Sequence, residues 1–273
     1  MVHVERQINT PDTEESRLAA ARSRERVGGL RNPGTTDPRS KISMPWRTVP
    51  TAVLRAVIGG TLFFHVALVV LFTAAGLLLK VMNPPVSSLQ FYRALTDGVT
   101  VTQPRRFVPL SQVPPRLTQM LVRVEDRQFY NHIGIDPAAM LHAMEVNRRA
   151  GEIVLGGSTI TQQMTRTLFL SPRRTYARKY VEVIGSIVLD VILSKDRILE
   201  LYVNNIEWGP GVYGIYAAAH YQYDKAPEKL SLDDERRLAA VITDPVDFTV
   251  KTLSQNGGMR QRYAYLKAAF PGS

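Results

Sequence analysis

The feature that most constrains this chain is a run of 24 residues without a formal charge, Ala56 to Leu79. It reads AVIGGTLFFHVALVVLFTAAGLLL and is bounded by Arg55 and Lys80. A helix rises about 1.5 Å per residue, so such a run crosses the roughly 30 Å hydrocarbon layer of a bilayer. Core helices of soluble domains are seldom apolar on every side over this length. The run starts too far from the N-terminus for an ordinary signal peptide, and no A-x-A cleavage pattern follows it. His65 lies mid-span, where an uncharged imidazole facing a protein neighbour is the simplest account. Asn83-Pro84-Pro85 ends the helix. We expect a spanning helix over 54–80 and a linker over 81–104, then a folded domain over 105–255 and a C-terminal segment over 256–273. Residues 1–50 are polar and broken by Gly28-Gly29, Pro33-Gly34 and Pro38, and read as a disordered tail.

Flanking charge sets the expected orientation. Arg39, Lys41, Arg47 and Arg55 precede the span closely, whereas Lys80 and Arg93 follow it, with Arg105 and Arg106 farther off. The excess on the N-terminal side predicts a cytoplasmic N-terminus and a translocated C-terminal domain. The chain carries 34 Lys+Arg against 24 Asp+Glu, a formal charge of +10, which favours an anionic partner. Nucleic acid is not the expected one, because 24 of those 34 cations lie from Lys80 onward, on the translocated side. With no cysteine, the chain has neither a disulfide framework nor a thiolate metal site.

The domain after the span reads as mainly α. Pro114-Pro115 opens a helix whose apolar positions Leu117, Met120, Leu121 and Val124 follow the 3.6-residue period. Thr159 and Gln162 fit a capping box ahead of Ile160, Met164 and Leu168. Tyr176 to Leu193 continues the pattern through Val181, Ile184, Val188 and Ile192, and Ser194 caps a helix carrying Ile198, Leu201 and Tyr202. After the turn Trp208-Gly209-Pro210-Gly211, further helices are predicted over Tyr213 to Tyr221 and Leu232 to Ile242. There is no convincing run of alternating strands and no internal repeat.

Three features bear on chemistry. Glu125-Asp126 ends an apolar helix and is followed by Phe129 and His132-Ile133-Gly134. A carboxylate there can sit in a cleft where Val122, Val124 and Phe129 desolvate it toward general-base duty, or it can be one half of a solvated acidic pair. A basic cluster, Arg166, Arg173, Arg174, Arg178 and Lys179, is uninterrupted by any acid between Glu152 and Glu182. It suits a phosphate group or a solvated face. Glu182 lies four residues after Arg178, as an ordinary helix-surface ion pair or as a second carboxylate beside an anion site.

These residues fall inside a longer pattern. Glu125-Asp126-Arg127-Gln128-Phe129-Tyr130-Asn131-His132-Ile133-Gly134 resembles the first motif of glycosyltransferase family 51, the peptidoglycan polymerases. Gly156-Gly157-Ser158-Thr159-Ile160-Thr161-Gln162-Gln163 resembles the second, and Arg178-Lys179-Tyr180-Val181-Glu182 the third, an R-K-x-x-E pattern. Lys195-Asp196-Arg197-Ile198-Leu199-Glu200-Leu201-Tyr202-Val203-Asn204 is similar to the fourth, and Glu207-Trp208-Gly209 through Gly214-Ile215 and Ala217-Ala218-Ala219 to the fifth. One such motif is weak; five in order are specific. Because 25 residues follow Phe248, the likeness is to the family's monofunctional members, with no transpeptidase domain expected.

The resemblance implies a lysozyme-like helical glycosyltransferase domain with its cleft close to the membrane. It implies that lipid II is polymerised into β-1,4-linked glycan strands with release of undecaprenyl diphosphate. By motif position, Glu125 is the expected general base and Glu182 the expected assistant at the diphosphate. Asp126, Phe129, His132, Ser158, Thr159, Gln162, Gln163, Arg166, Arg178, Lys179, Lys195, Glu200 and Asn204 make up the expected substrate-binding set. No cofactor is strictly required and no metal ligand is assigned, although the family allows Mg2+ or Mn2+ near Glu182. The expected location is the inner, cytoplasmic membrane, crossed once, with the domain periplasmic. Expected partners are lipid II, the growing lipid-linked chain and membrane lipid; cell-division or other wall-synthesis proteins are further candidates. Three departures from the family pattern stand out: Arg166-Thr167 in place of Lys-Asn, Tyr221-Gln222-Tyr223-Asp224-Lys225 in place of Tyr-Phe-Gly-Lys, and Thr243-Asp244-Pro245 in place of a Pro-Asn-Pro-like turn. They keep two other readings open: a lipid II-binding scaffold of the same fold with weakened activity, and a membrane-anchored lysozyme-like hydrolase. The basic cluster speaks against the hydrolase, which needs no diphosphate site.

Overall fold

The computed structural model describes residues 50–96, 98 and 105–272. Nearly all of the expected tail, and part of the expected linker, lie outside the described residues. The described chain is mainly helical, as its periodicity predicts: ten α-helices, three short 3-10 turns and one two-stranded hairpin.

Helix α1 (Thr51–Val81) contains the whole uncharged run and is 31 residues long. It is long and apolar enough to cross a membrane. It continues through both Arg55 and Lys80, and ends two residues before Asn83-Pro84-Pro85. Arg197 closes its C-terminal end, donating to the carbonyls of Leu79 at 2.7 Å and Met82 at 2.8 Å and to the Asn83 side chain at 2.8 Å. These bonds occupy carbonyls that a helix end leaves without partners. A short helix α2 (Ser88–Thr96) follows, inside the stretch read as linker. Nine residues are little more than two turns, too short a run for a periodic trace to be read from sequence.

The domain is then built from α3 (Pro115–Glu125), α4 (Pro137–Ala150), α5 (Ile160–Phe169), α6 (Tyr176–Ile192) and α7 (Lys195–Asn205). It continues with strands β1 (Glu207–Gly209) and β2 (Val212–Tyr213) and with α8 (Ile215–Tyr223), α9 (Leu232–Val241) and α10 (Gly257–Ala269). Helix α5 sits at the centre, packed on α2, α6 and α7, and α9 joins α3 to α10. Ile160 and Met164 of α5, Leu117, Met120 and Leu121 of α3, Tyr202 of α7 and Trp208 are fully buried. The capping box of Thr159 and Gln162 forms as predicted, and Ser231 with Asp234 makes a second one at α9. Helix α8 starts at Ile215 rather than Tyr213, because Gly214 takes φ +83°, a left-handed conformation that ends the hairpin.

Helix α6 lies along the C-terminal half of α1. The Gly185 backbone meets the Phe72 ring so closely that a Cβ there would stand 2.5 Å from a ring carbon. Gly76 lies against Leu189 and Ile192, and His65 is hydrogen-bonded to Tyr180. The two helices therefore run in the same direction, and His65 faces a protein partner.

Candidate active site

Glu125 is the last residue of α3, where the helix runs into the turn at Asp126. Its side chain is 11% exposed. One carboxylate oxygen, Oε2, accepts from Gln163 Nε2 at 2.9 Å. The other, Oε1, accepts from Arg262 Nη1 at 2.5 Å and Thr243 Oγ1 at 3.2 Å. Gln163 is held in turn by the Tyr202 hydroxyl, which donates to its Oε1 at 3.2 Å. Burial, with the Glu125 charge next in weight, raises that phenol well above its ordinary value, so Tyr202 is a fixed donor at neutral pH.

Asp126 organises the loop beside it. Its Oδ2 accepts from the Ile160 N–H at 3.0 Å, at the start of α5, and from His132 Nε2 at 2.9 Å. A carboxylate at a helix N-terminus satisfies a donor that would otherwise be orphaned. Phe129 is fully buried, and the Lys195 ammonium stands 4.7 Å from its ring centre. Lys195 also donates to the His132 carbonyl and to Asp190, both at 2.8 Å. Gly134 takes φ +75° and packs so tightly on α6 that a Cβ would fall 2.4 Å from the Ser186 carbonyl. The motif-one loop is thus clamped between α5, α6 and α7.

A cleft of about 400 Å³ opens beside this loop. Glu125, Asp126, Gln128, His142, Ser158 and Thr159 line it. Ser158 links it to the cationic cluster: the Lys179 ammonium donates to Ser158 Oγ at 2.9 Å and also pairs with Glu182. Arg178 pairs with the other oxygen of Glu182 and donates through Nε to the Arg173 carbonyl at 2.7 Å. The Glu182 side chain has no exposure, whereas Arg178 retains 13% and Lys179 30%. The ion pair is therefore not an ordinary surface contact; the carboxylate is enclosed and its two cations are partly exposed. Arg166 is half-buried one helix away, and burial lowers its guanidinium from the ordinary value while the Glu182 charge opposes that shift.

The remaining expected site residues divide by place. Gln162 is fully buried in the capping box. Glu200 accepts from the Leu110 N–H at 2.7 Å and pairs with Arg197. Asn204 bonds both the N–H and the carbonyl of Val108 at 2.8 Å. These two residues hold the segment before α3 against α7 and are not among those that line the cleft. Both oxygens of Glu182 are engaged by cations, and among the described residues no three His, Asp or Glu side chains converge. The donor set near Glu182 does not fit a protein-held divalent ion. Arg262 and Thr243 were missed by sequence reading, since contacts across 137 and 118 residues leave no periodic trace.

A buried carboxylate beside a cleft is joined through one serine to a cluster of cations on a helix packed against α1, an arrangement that suits a transferase acting on an anionic substrate. Comparison with known proteins names the family. The transglycosylase family profile matches residues 93–269. A biosynthetic peptidoglycan transglycosylase of Ralstonia nicotianae is 40% identical over 197 residues, covering 70% of this chain and 83% of that protein. One from Paraburkholderia xenovorans is 39% identical over 170 residues, covering 61% and 71%. Penicillin-binding protein 1A of Aquifex aeolicus is 40% identical over 172 residues, which cover 63% of this chain and 24% of that longer protein. The chain belongs to the transglycosylase family: it is a peptidoglycan glycosyltransferase that polymerises glycan strands.

Proposed function

We propose that this chain joins lipid II units into β-1,4-linked strands with Glu125 as general base and with Arg178 and Lys179 as the diphosphate site. The Glu125 carboxylate takes the proton of the acceptor's 4-hydroxyl as that oxygen attacks C1 of the lipid-linked donor. The new C1–O4 bond forms opposite the breaking bond to the diphosphate, so the α link becomes β. The leaving diphosphate departs as an anion, and fixed cations aimed at that charge stabilise it. Glu182 holds Arg178 and Lys179 in place from the buried side. Ser158 and Thr159 line the path between the two halves.

The observation that carries this reading is the shared cleft: Glu125 and Ser158 face the same space, and Ser158 is hydrogen-bonded to Lys179. The packing of α6 on the C-terminal half of α1 supports it further, because it holds the cationic cluster against the helix that is long and apolar enough to cross a membrane. The excess of Arg and Lys before the span supports a cytoplasmic N-terminus and a catalytic domain on the outer face of the cytoplasmic membrane.

The test is purified full-length protein in detergent with lipid II, scored for long strands. Glu125→Gln should lower strand formation by about 10²–10⁴-fold, the usual contribution of a general base, while substrate binding persists. Near-wild-type chain formation by that variant would remove the base assignment.

A further inference from the structure

Resting on the assignment of Glu125 as base, the hydrogen bonds around its carboxylate point to which oxygen does the work. An ionised carboxylate offers about four lone-pair sites, two on each oxygen. Oε1 already accepts two bonds, from Arg262 Nη1 at 2.5 Å and Thr243 Oγ1 at 3.2 Å. Oε2 accepts one, from Gln163 Nε2 at 2.9 Å, and that amide is fixed by the buried Tyr202 hydroxyl. One site is left, on Oε2. We propose that Oε2 takes the proton of the acceptor hydroxyl, and that Arg262 and Thr243 are positioning residues which fill Oε1 and so fix the rotation of the carboxyl.

The two positioning residues come from the C-terminal quarter of the chain. Thr243 lies in the turn after α9, and Arg262 lies on α10. Helix α10 is anchored by buried Met259 and Leu266 and packs on α9, so its rigid backbone delivers the guanidinium to the end of α3. Thr243 stands in the turn that departs from the Pro-Asn-Pro-like pattern. A proline has no hydroxyl to give, so the second bond to Oε1 is made by this chain's own residue. Without the two donors the carboxyl is held only through Gln163 and can turn its free lone pair away from the acceptor. Transfer would slow while substrate binding, which relies on other groups, would not change.

The experiment is steady-state kinetics of the full chain on lipid II in detergent. Arg262→Gln is expected to lower kcat about tenfold to a hundredfold, the worth of one hydrogen bond to a charged group, with KM within about threefold. Arg262→Lys should recover part of that loss, since it keeps the charge but not the fork. Thr243→Val should lower kcat by about threefold to tenfold, and Thr243→Ser, which keeps the hydroxyl, should stay within about twofold of wild type. Thr243 is exposed, so its variants fold and keep the test decisive even if Arg262→Gln does not. The inference is overturned if Thr243→Val leaves kcat unchanged, or if these variants raise KM and spare kcat, while Glu125→Gln is inactive. If Glu125→Gln itself forms strands, the base assignment fails and the inference falls with it.

Discussion

Removing one cation from Glu182 separates structure from catalysis in the diphosphate site. In the Arg178→Ala variant, a carboxylate with no exposure would keep only Lys179 as an ionic partner. Stripping a buried charge of its partner costs about 3–5 kcal/mol when nothing replaces it. Lys179 remains, so the expected cost is that of one hydrogen bond to a charged group, about 1.5–3 kcal/mol, or a tenfold to hundredfold loss in the folding equilibrium. Denaturant unfolding in detergent reads this directly. Adding Glu182→Gln to Arg178→Ala removes the stranded charge, and the double variant should regain much of the lost stability. Its kcat/KM on lipid II should nevertheless stay low, because the cation that meets the leaving diphosphate is still missing. Glu152→Ala, at an exposed position outside the cluster, should change neither quantity. The reasoning is refuted if the double variant regains near-wild-type kcat/KM together with its stability, for then Arg178 acts on the fold alone.

Two further outcomes follow from the packing. Asp234 is buried, which pushes its carboxyl up, but the Lys225 ammonium at 2.7 Å and the Ser231 N–H at 2.9 Å outweigh that and hold it below the ordinary value. A carboxyl lowered on folding stabilises above its unfolded pKa of about 4 and loses that contribution as pH falls through the folded value. Asp234→Asn keeps an acceptor for the Ser231 N–H but loses the charge paired with partly exposed Lys225, so it should destabilise by up to about 1 kcal/mol at pH 7 and by much less in strong acid, as unfolding midpoints across pH will report. Gly185→Ala should destabilise the α1–α6 contact by about 1–3 kcal/mol, because its Cβ would fall 2.5 Å from the Phe72 ring; Phe72→Leu in the same chain should restore part of the loss.

Much of this arrangement was legible in the sequence because it is local. The capping box of Thr159 and Gln162, the helix over Tyr176–Ile192 and the spacing of Arg178 from Glu182 are all set within one or two turns. What the sequence could not give was depth. An Arg-to-Glu pair four residues apart reads the same on a surface helix and at Glu182, where the carboxylate is fully enclosed. The hairpin of Glu207–Gly209 with Val212–Tyr213 is too short to show alternation, and its Trp-Gly-Pro-Gly run reads only as a turn. Helix α10 lay in what read as a trailing segment, yet its Arg262 reaches Glu125 across 137 residues. The only local marks of that helix are the Asn256 cap, the spacing of Met259 from Leu266, and Pro271 beyond its end.

The central claim is spatial: the acceptor's hydroxyl at Glu125 and the donor's diphosphate at Arg178 and Lys179 meet across Ser158, which lines the cleft beside Glu125 and is hydrogen-bonded to Lys179. A structure of the full chain with a non-reactive lipid-linked disaccharide diphosphate in the donor site and a second sugar in the acceptor site measures it directly. The account predicts diphosphate oxygens within hydrogen-bond reach of both cations and the acceptor's 4-hydroxyl about 3 Å from Glu125 Oε2. A diphosphate bound away from α6, or an acceptor hydroxyl facing another carboxylate, would contradict it.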